Sequence, residues 1–553
     1  MILQLIFVTL QLYGLTNSYS LASETFFSFP FDNSYGTDQK HLTLLSRAVK
    51  NSFFTNPNTH AGFVTRINQK ALDLLADYLK ERVNRFMYHG EIIFNFSAPL
   101  TNEVTFGLIS TKAIGYDSKI FKSRLFIVPG QGIIWMGSHL NLSIGTFFKI
   151  SSPAGDFYGS AVLQINSAKV KSFFVAAVNV DGHLRTDLQK CTLSPGSVVM
   201  NFSETDPSLL VNYYPQINRF ISERIELIIC SSFNAELVPV ISNRLMNTPM
   251  SAALFDQYFV NYGFIEQIQY LPNAIELKHR GNTFSIVKQG LNRLNDFRLP
   301  FPSTPITLDS PENQAMVEFT MSNYTLASLL YWMDQYRNFD YEISKESINN
   351  TLMVGYLRSE CSSNDICAGT LFPALSVQYP NGMVQIKSHT TTPPTVRFEQ
   401  DKGIIVIWSQ VDAFVQQGEH TSPFLTSNMM AELKLEKSIF QNYSFTSQMR
   451  IDKFKISDVT SLIDGIDKTS LEFLVSALNE LLIGDDVAKK LSDGIKLPIL
   501  FDFVQKSANV IFEKDRMRIA VDFCFDQNCS KNSIAESNDF DYYDNVNSTS
   551  TLS

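Results

Sequence analysis

The sequence predicts an α+β chain made of two similar halves, each a helix, a twisted antiparallel meander and a second helix. At 553 residues the chain outgrows one hydrophobic core, so two domains of roughly 200 to 250 residues are expected. Apolar spacing switches from helical to alternating and back within the first half. The same succession then recurs beyond a proline-containing piece, which makes two copies of one architecture the economical solution. With 44% hydrophobic and 18% charged residues, the composition is that of a folded chain.

Taken in order, Ala61–Phe86 is predicted as the first helix. Val64, Ile67, Ala71, Leu74, Leu75, Tyr78, Leu79, Val83 and Phe86 fall on one stripe, with Gln69, Lys70, Asp73 and Asp77 opposite. Alternation follows at Ile92, Phe94 and Phe96, at Val104, Phe106 and Leu108, at Phe174 to Val180 and at Leu184 to Leu188, and it predicts antiparallel strands. Helical spacing returns over Asp206–Leu245 with Leu210, Tyr214, Ile217, Ile221, Ile225 and Ile228. The halves divide near Tyr270, and Leu299–Pro305 (LPFPSTP) stiffens the connection.

In the second half, Asn323–Tyr336 is predicted as a helix through Leu326, Leu329, Leu330 and Met333. Strands are expected at Val377 and Tyr379, Val384 and Ile386, Val396 and Phe398, and Ile405–Trp408. Val459–Leu491 is a long amphipathic region carrying Leu471, Leu474, Leu478, Leu481 and Leu482. The domain plan is thus a signal peptide (1–20), an irregular arm (21–58), a first domain (59–270), a linker with a central sheet (271–305), a second domain (306–526) and an acidic tail (527–553).

Several features point to a secreted protein. Ile2–Leu15 is mostly apolar, and no charged side chain precedes Glu24, the outline of a signal peptide without a basic start. Glycan acceptor sequences occur at Asn95, Asn141, Asn201, Asn323, Asn349, Asn442, Asn528 and Asn547. The six cysteines form one distant couple, Cys191 with Cys230, and two close ones, Cys361 with Cys367 and Cys524 with Cys529. They suit three disulfides, with the pairings inside the close couples left open by sequence. Net charge is −9, which speaks against a general attraction to nucleic acid. Neither HExxH nor GxSxG is present, so an enzyme is not expected and no cofactor or metal is called for.

Ala61-Gly62-Phe63-Val64-Thr65-Arg66-Ile67-Asn68-Gln69-Lys70-Ala71-Leu72 resembles the opening segment of the family of bactericidal/permeability-increasing protein, lipopolysaccharide-binding protein, and phospholipid and cholesteryl ester transfer proteins. Phe126-Ile127-Val128-Pro129, the spacing of Cys191 and Cys230, Met321-Ser322-Asn323-Tyr324, Pro393-Pro394 and Leu497–Phe523 extend the likeness. The resemblance implies an elongated boomerang of two pseudo-symmetric domains, each a twisted antiparallel barrel with two helices, joined by a central sheet. It also implies a phospholipid-like ligand held in an apolar pocket of each domain.

The candidate lipid-lining residues are Ile67, Ala71, Leu74, Leu75, Tyr78, Leu210, Tyr214, Ile217 and Ile221 in the first half. In the second they are Leu326, Leu329, Leu330, Met333, Leu474 and Leu478. Plain core packing is the competing role for each. Against the family pattern, the hairpin Gly145–Gly159 keeps one basic residue, Lys149, and adds Asp156, which argues against a strong grip on lipopolysaccharide. Phe147, Phe148, Phe157 and Tyr158 beside Lys149 make it a candidate tip for transient contact with a lipid surface. The expected function is a secreted lipid-binding or lipid-transfer protein, with a role in innate defence suggested by the resemblance. The alternative is a structural or receptor-interaction protein that keeps the fold without cargo.

Overall fold

The structure, a computed structural model, describes residues 60–77, 80, 96–117, 121–179, 182–203, 213–232, 242, 246, 250–255, 257–285, 299–308, 315–348, 351–362, 365–441, 444–477, 491–496 and 504–524. Among them, strands build two long curled sheets flanking a central one. The N-terminal sheet runs Phe96–Pro99, Thr105–Asp117, Gly132–Ser152, Gly155–Val178, Leu184–Ser194, with Lys122–Val128 and Ser197–Ser203 added beside the two longest strands. Its C-terminal counterpart runs Tyr341–Ile343, Met383–Glu399, Lys402–Gln417, His420–Gln441, Ser444–Ser461, Ile495–Lys496. Each is bent by matching irregularities. His139 and Ser167 in one, and Lys437 and Asp458 in the other, take positive φ where the ladder register shifts, and such bulges tighten the twist of long strands.

The central sheet interleaves both halves in the order Gln269–Tyr270, Ala274–His279, Phe63–Asn68, Val317–Ser322, Arg516–Cys524, Val504–Glu513. Here the first expectation is corrected. Phe63–Asn68 is a strand, and helix is described only over 69–77 and at 80. Every residue of that strand except Thr65 is buried, so both faces are covered and the polar alternation that marks a strand is missing. The next strand of the second half behaves likewise: Val317–Ser322 leads directly into the helix Asn323–Gln335. The two strand-to-helix units lie side by side at the centre, Phe63 opposite Met321 and Ile67 opposite Val317.

One face of this sheet carries a charge ladder across five strands. Arg66 meets Glu276 at 2.7 Å and Glu318 at 3.5 Å, Arg518 meets Glu318 at 3.7 Å, and Arg518 meets Glu513 at 3.1 Å. Arg66, Glu276 and Glu318 are buried, and each charge has an opposite neighbour within reach.

Other boundaries also move. The second helix is Tyr214–Ser232, shorter than the Asp206–Leu245 pattern. Val377 lies in the short helix Pro373–Gln378, and Tyr379 caps it, so neither forms the expected strand. Val459 lies in the strand Ser444–Ser461, and only Lys468–Ala477 of the Val459–Leu491 region is described as a longer helix. Cys191 and Cys230 are bonded and pin Tyr214–Ser232 to the N-terminal sheet; Cys361 and Cys367 are bonded as well. Cys524 is also in a disulfide, while Cys529, its expected partner, lies outside the described residues. So do segments 1–58 and 527–553, Tyr78, Leu210, Leu478, Asn95, Asn349, Asn442, Asn528 and Asn547. Of the described acceptor asparagines, Asn201 is exposed and Asn141 and Asn323 are half-buried.

An apolar cleft at the junction of the halves

Among the described residues there are three hydrophobic clusters: one under the N-terminal sheet, one at the far end of the C-terminal sheet, and one between them that draws on both halves. The middle cluster holds the site. Its organiser is the helix Asn323–Gln335, whose two sides have different chemistry.

The back of the helix is bolted to the central framework through small hydroxyls. Thr325 Oγ1 donates to the Gly62 carbonyl at 3.0 Å, as does Ser322 Oγ at 3.1 Å. Ser328 Oγ accepts from the Thr283 amide at 2.7 Å, and Trp332 Nε1 donates to the Thr283 carbonyl at 2.9 Å. Gly62 permits this closeness. A Cβ there would stand 2.5 Å from the Arg280 carbonyl oxygen and 2.9 Å from the Tyr324 ring.

The front of the helix presents Leu326, Leu329, Leu330 and Met333 to an apolar cleft of about 1040 Å3, counting the space at its mouth. Phe63, Phe319, Met517 and Ile519 close it from the central sheet, and Phe398, Ile405, Leu435, Phe445 and Met449 from the C-terminal sheet. No charged side chain lines it among the described residues; Tyr262 and Thr325 bring its only hydroxyls. Such a surface matches hydrocarbon, at about 0.8 kcal/mol for each methylene removed from water.

Behind Phe63 and Tyr262 lies a buried histidine. His279 Nδ1 sits 2.8 Å from the Tyr262 carbonyl, which can only accept, so that nitrogen carries the proton. Nε2 is then left to accept from Thr65 Oγ1 at 3.1 Å. The ring also packs on Phe264 at 4.6 Å and on Phe63 at 5.4 Å. Burial pushes its pKa down to about 4, only partly opposed by the Tyr262 carbonyl.

The structure separates the sequence candidates. Leu326, Leu329, Leu330 and Met333 line the cleft, and Leu474 lines a smaller cavity in the distal C-terminal cluster. Ile67, Ala71 and Leu75 are buried in the middle cluster with Leu74 against it, but they are not among the cleft walls. Ile217 and Ile221 are fully buried in the N-terminal cluster, and Tyr214 stands edge-on to Phe202. The sheet-borne walls escaped sequence reasoning. Their alternation was visible at Val396, Phe398 and Ile405, but nothing local says which face meets the helix.

At the hairpin, the candidate tip divides in two. Phe147 and Tyr158 are 62% and 61% exposed, whereas Phe148 is fully buried and Phe157 packs partly against the same N-terminal cluster. Phe148 therefore leaves the membrane-contact set: strand alternation turns it inward, beside Phe106 and Phe202. Lys149 is held 2.7 Å from Asp156 and lies over the Tyr158 ring.

Residues 253–525 match the C-terminal domain of the LBP / BPI / CETP family. By that match the second half of the chain is a C-terminal domain of that family, and the chain as a whole is similar to its members. The human BPI fold-containing family C protein is 22% identical over 469 residues, covering 82% of this chain and 87% of that protein. A crystal structure of lipopolysaccharide binding protein aligns with a TM-score of 0.52 at 15% identity, over 85% of this chain and 100% of its own. At that identity the likeness speaks for the fold. The chain shares with that structure the boomerang plan of two curled sheets about a shared central one.

Proposed function

We propose that this chain is a secreted lipid-binding or lipid-transfer protein that carries acyl chains in the cleft beneath Asn323–Gln335. The observation that carries the proposal is the cleft itself: hydrocarbon-matched walls from the helix and the sheets around it, with no charged side chain among the described lining residues. The family and the relative named for lipopolysaccharide binding support the class of ligand. Two disulfides, and the lack among the described residues of a helix long and apolar enough to cross a membrane, accord with secretion. No catalytic role and no cofactor are proposed, and innate defence is the setting that the family suggests.

Exchange with a lipid surface is assigned to Phe147 and Tyr158, whose rings stand out from the hairpin. Lipopolysaccharide is not proposed as a ligand of that hairpin. Its one cation, Lys149, is already neutralised by Asp156. The test is native mass spectrometry of protein secreted from eukaryotic cells, after glycan removal. An adduct of lipid mass that solvent extraction releases is expected; a spectrum of bare polypeptide overturns the proposal.

A further inference from the structure

One face of the N-terminal sheet carries cations without matching acids. Lys122 and Arg124 stand on Lys122–Val128, Lys169 and Lys171 on Gly155–Val178, and Lys190 on Leu184–Ser194, and all are exposed. Register puts them on the same side. Arg124 pairs with Met136, Met136 with Lys171 and Lys171 with Thr192; in the next row Phe126 pairs with Ile134, Ile134 with Phe173 and Phe173 with Lys190. Lys122 and Lys169 precede Arg124 and Lys171 by two residues and so project the same way.

The stretches 122–128, 132–138, 169–175 and 185–192 that make this face hold one acidic residue, Asp187, and Arg185 lies 3.3 Å from it. Lys169, Lys171 and Lys190 take part in no ion pair among the described residues. Neighbouring strands run about 5 Å apart and the Debye length is about 8–10 Å, so the fields of adjacent cations add. In a chain of net charge −9 such a face is out of balance. Two exposed apolar side chains, Phe126 and Met136, stand in its midst. The complement of this surface is therefore both acidic and aromatic.

The chain supplies that complement itself. Residues 536–544 read ESNDFDYYD, with Glu536, Asp539, Asp541 and Asp544 set among Phe540, Tyr542 and Tyr543. They follow Cys524, the last described residue, and the chain leaves the central sheet beside the basic face. Asp522 holds Lys70 at 2.9 Å, and the adjoining Gln69 donates to the Leu125 carbonyl at 2.7 Å, between Arg124 and Phe126. Asp539 stands 15 positions beyond Cys524 and 10 beyond Cys529. Even the shorter count reaches about 33 Å at full stretch, whereas the four strands of the face span about 15 Å. A tethered segment also meets its site at an effective concentration in the mM range, which a free anion must exceed to displace it.

We propose that residues 536–544 dock on the face formed by Lys122, Arg124, Lys169, Lys171 and Lys190, with carboxylates on the cations and aromatic rings over Phe126 and Met136. Docked there, the segment neutralises the face and withholds it from other anions. This surface lies outside the cleft, and the inference does not depend on lipid carriage.

The test is zero-length cross-linking of the full chain with a carbodiimide, which joins a carboxylate to an amine held against it. Peptide mass spectrometry of an equal mixture of unlabelled and isotope-labelled protein separates links within one chain from links between two. Within-chain links from Asp539, Asp541 or Asp544 to Lys169, Lys171 and Lys190 are expected, at least about fivefold more abundant than links to the exposed Lys437 and Lys455 of the C-terminal sheet. They should weaken at least about threefold when salt rises from about 0.02 to about 0.5 M. Lys171→Glu with Lys190→Glu should lower the yield at the remaining Lys122 and Lys169 by a similar factor, with thermal unfolding unchanged, as surface substitutions leave it. No link to the face, equal abundance at Lys437 and Lys455, or yields insensitive to salt and to the charge reversals overturn the proposal. Links found only between labelled and unlabelled chains overturn it as well, because a second copy is then the occupant.

Discussion

Phe147 and Phe148 are neighbours in the chain and stand on opposite faces of the strand Gly132–Ser152, the first in solvent and the second fully buried. Phe148→Ala should therefore cost about 3–5 kcal/mol in urea unfolding, as a large side chain removed from a packed core does. Phe147→Asp with Tyr158→Asp should leave that stability within about 0.5 kcal/mol, as surface changes do, and abolish co-sedimentation with liposomes. Unchanged co-sedimentation would discard the hairpin as a contact. His279 makes a second residue-scale prediction. Its folded pKa of about 4 lies below the ordinary histidine value of 6.5, so the unfolded chain binds the proton more tightly between those values. Its contribution is present in full above pH 6.5 and declines as pH falls toward 4. At 1.36 kcal/mol for each unit, about 2–3 kcal/mol should be lost by pH 4.5. Urea unfolding across pH should show that part of the loss absent from His279→Gln.

Among the elements, the helix Asn323–Gln335 joins framework to cleft. Its hydroxyl side is fixed to Gly62 and Thr283, so its apolar side keeps one position over the sheet. Met333 is buried, yet it faces the cleft. Met333→Trp should fill that space: the lipid adduct in native mass spectra should vanish, with a stability cost below the roughly 1–3 kcal/mol of overpacking a solid core. This helix was legible in the sequence because Leu326, Leu329, Leu330 and Met333 repeat at helical steps against a small polar back. The strand before it was not, nor was Phe63–Asn68. Both faces of each are covered, and without polar alternation Val64 and Ile67 fit a helical stripe as readily as a strand.

For the whole molecule, the central sheet is the joint, and Arg66 is its electrostatic centre. It reaches Glu276 of the connecting segment and Glu318 of the second half. Arg66→Ala would leave two buried carboxylates without that partner and should cost about 3–5 kcal/mol in urea unfolding. Replacing all three by apolar residues of similar size should recover most of that loss, since the ladder's net worth is small beside the penalty of a broken pair. A loss below about 1 kcal/mol for Arg66→Ala would show that water reaches this face.

Local spacing determined the α+β class, the two-fold recurrence, the helix over the cleft and the cysteine couples, because these depend on residues close in sequence. Tertiary structure alone decided which strand faces form the cleft walls, that Phe148 turns inward, and that Lys171 and Lys190 share a face with Arg124. Those outcomes depend on pairing between distant strands, and a shift of one residue in register would send every side chain to the other face.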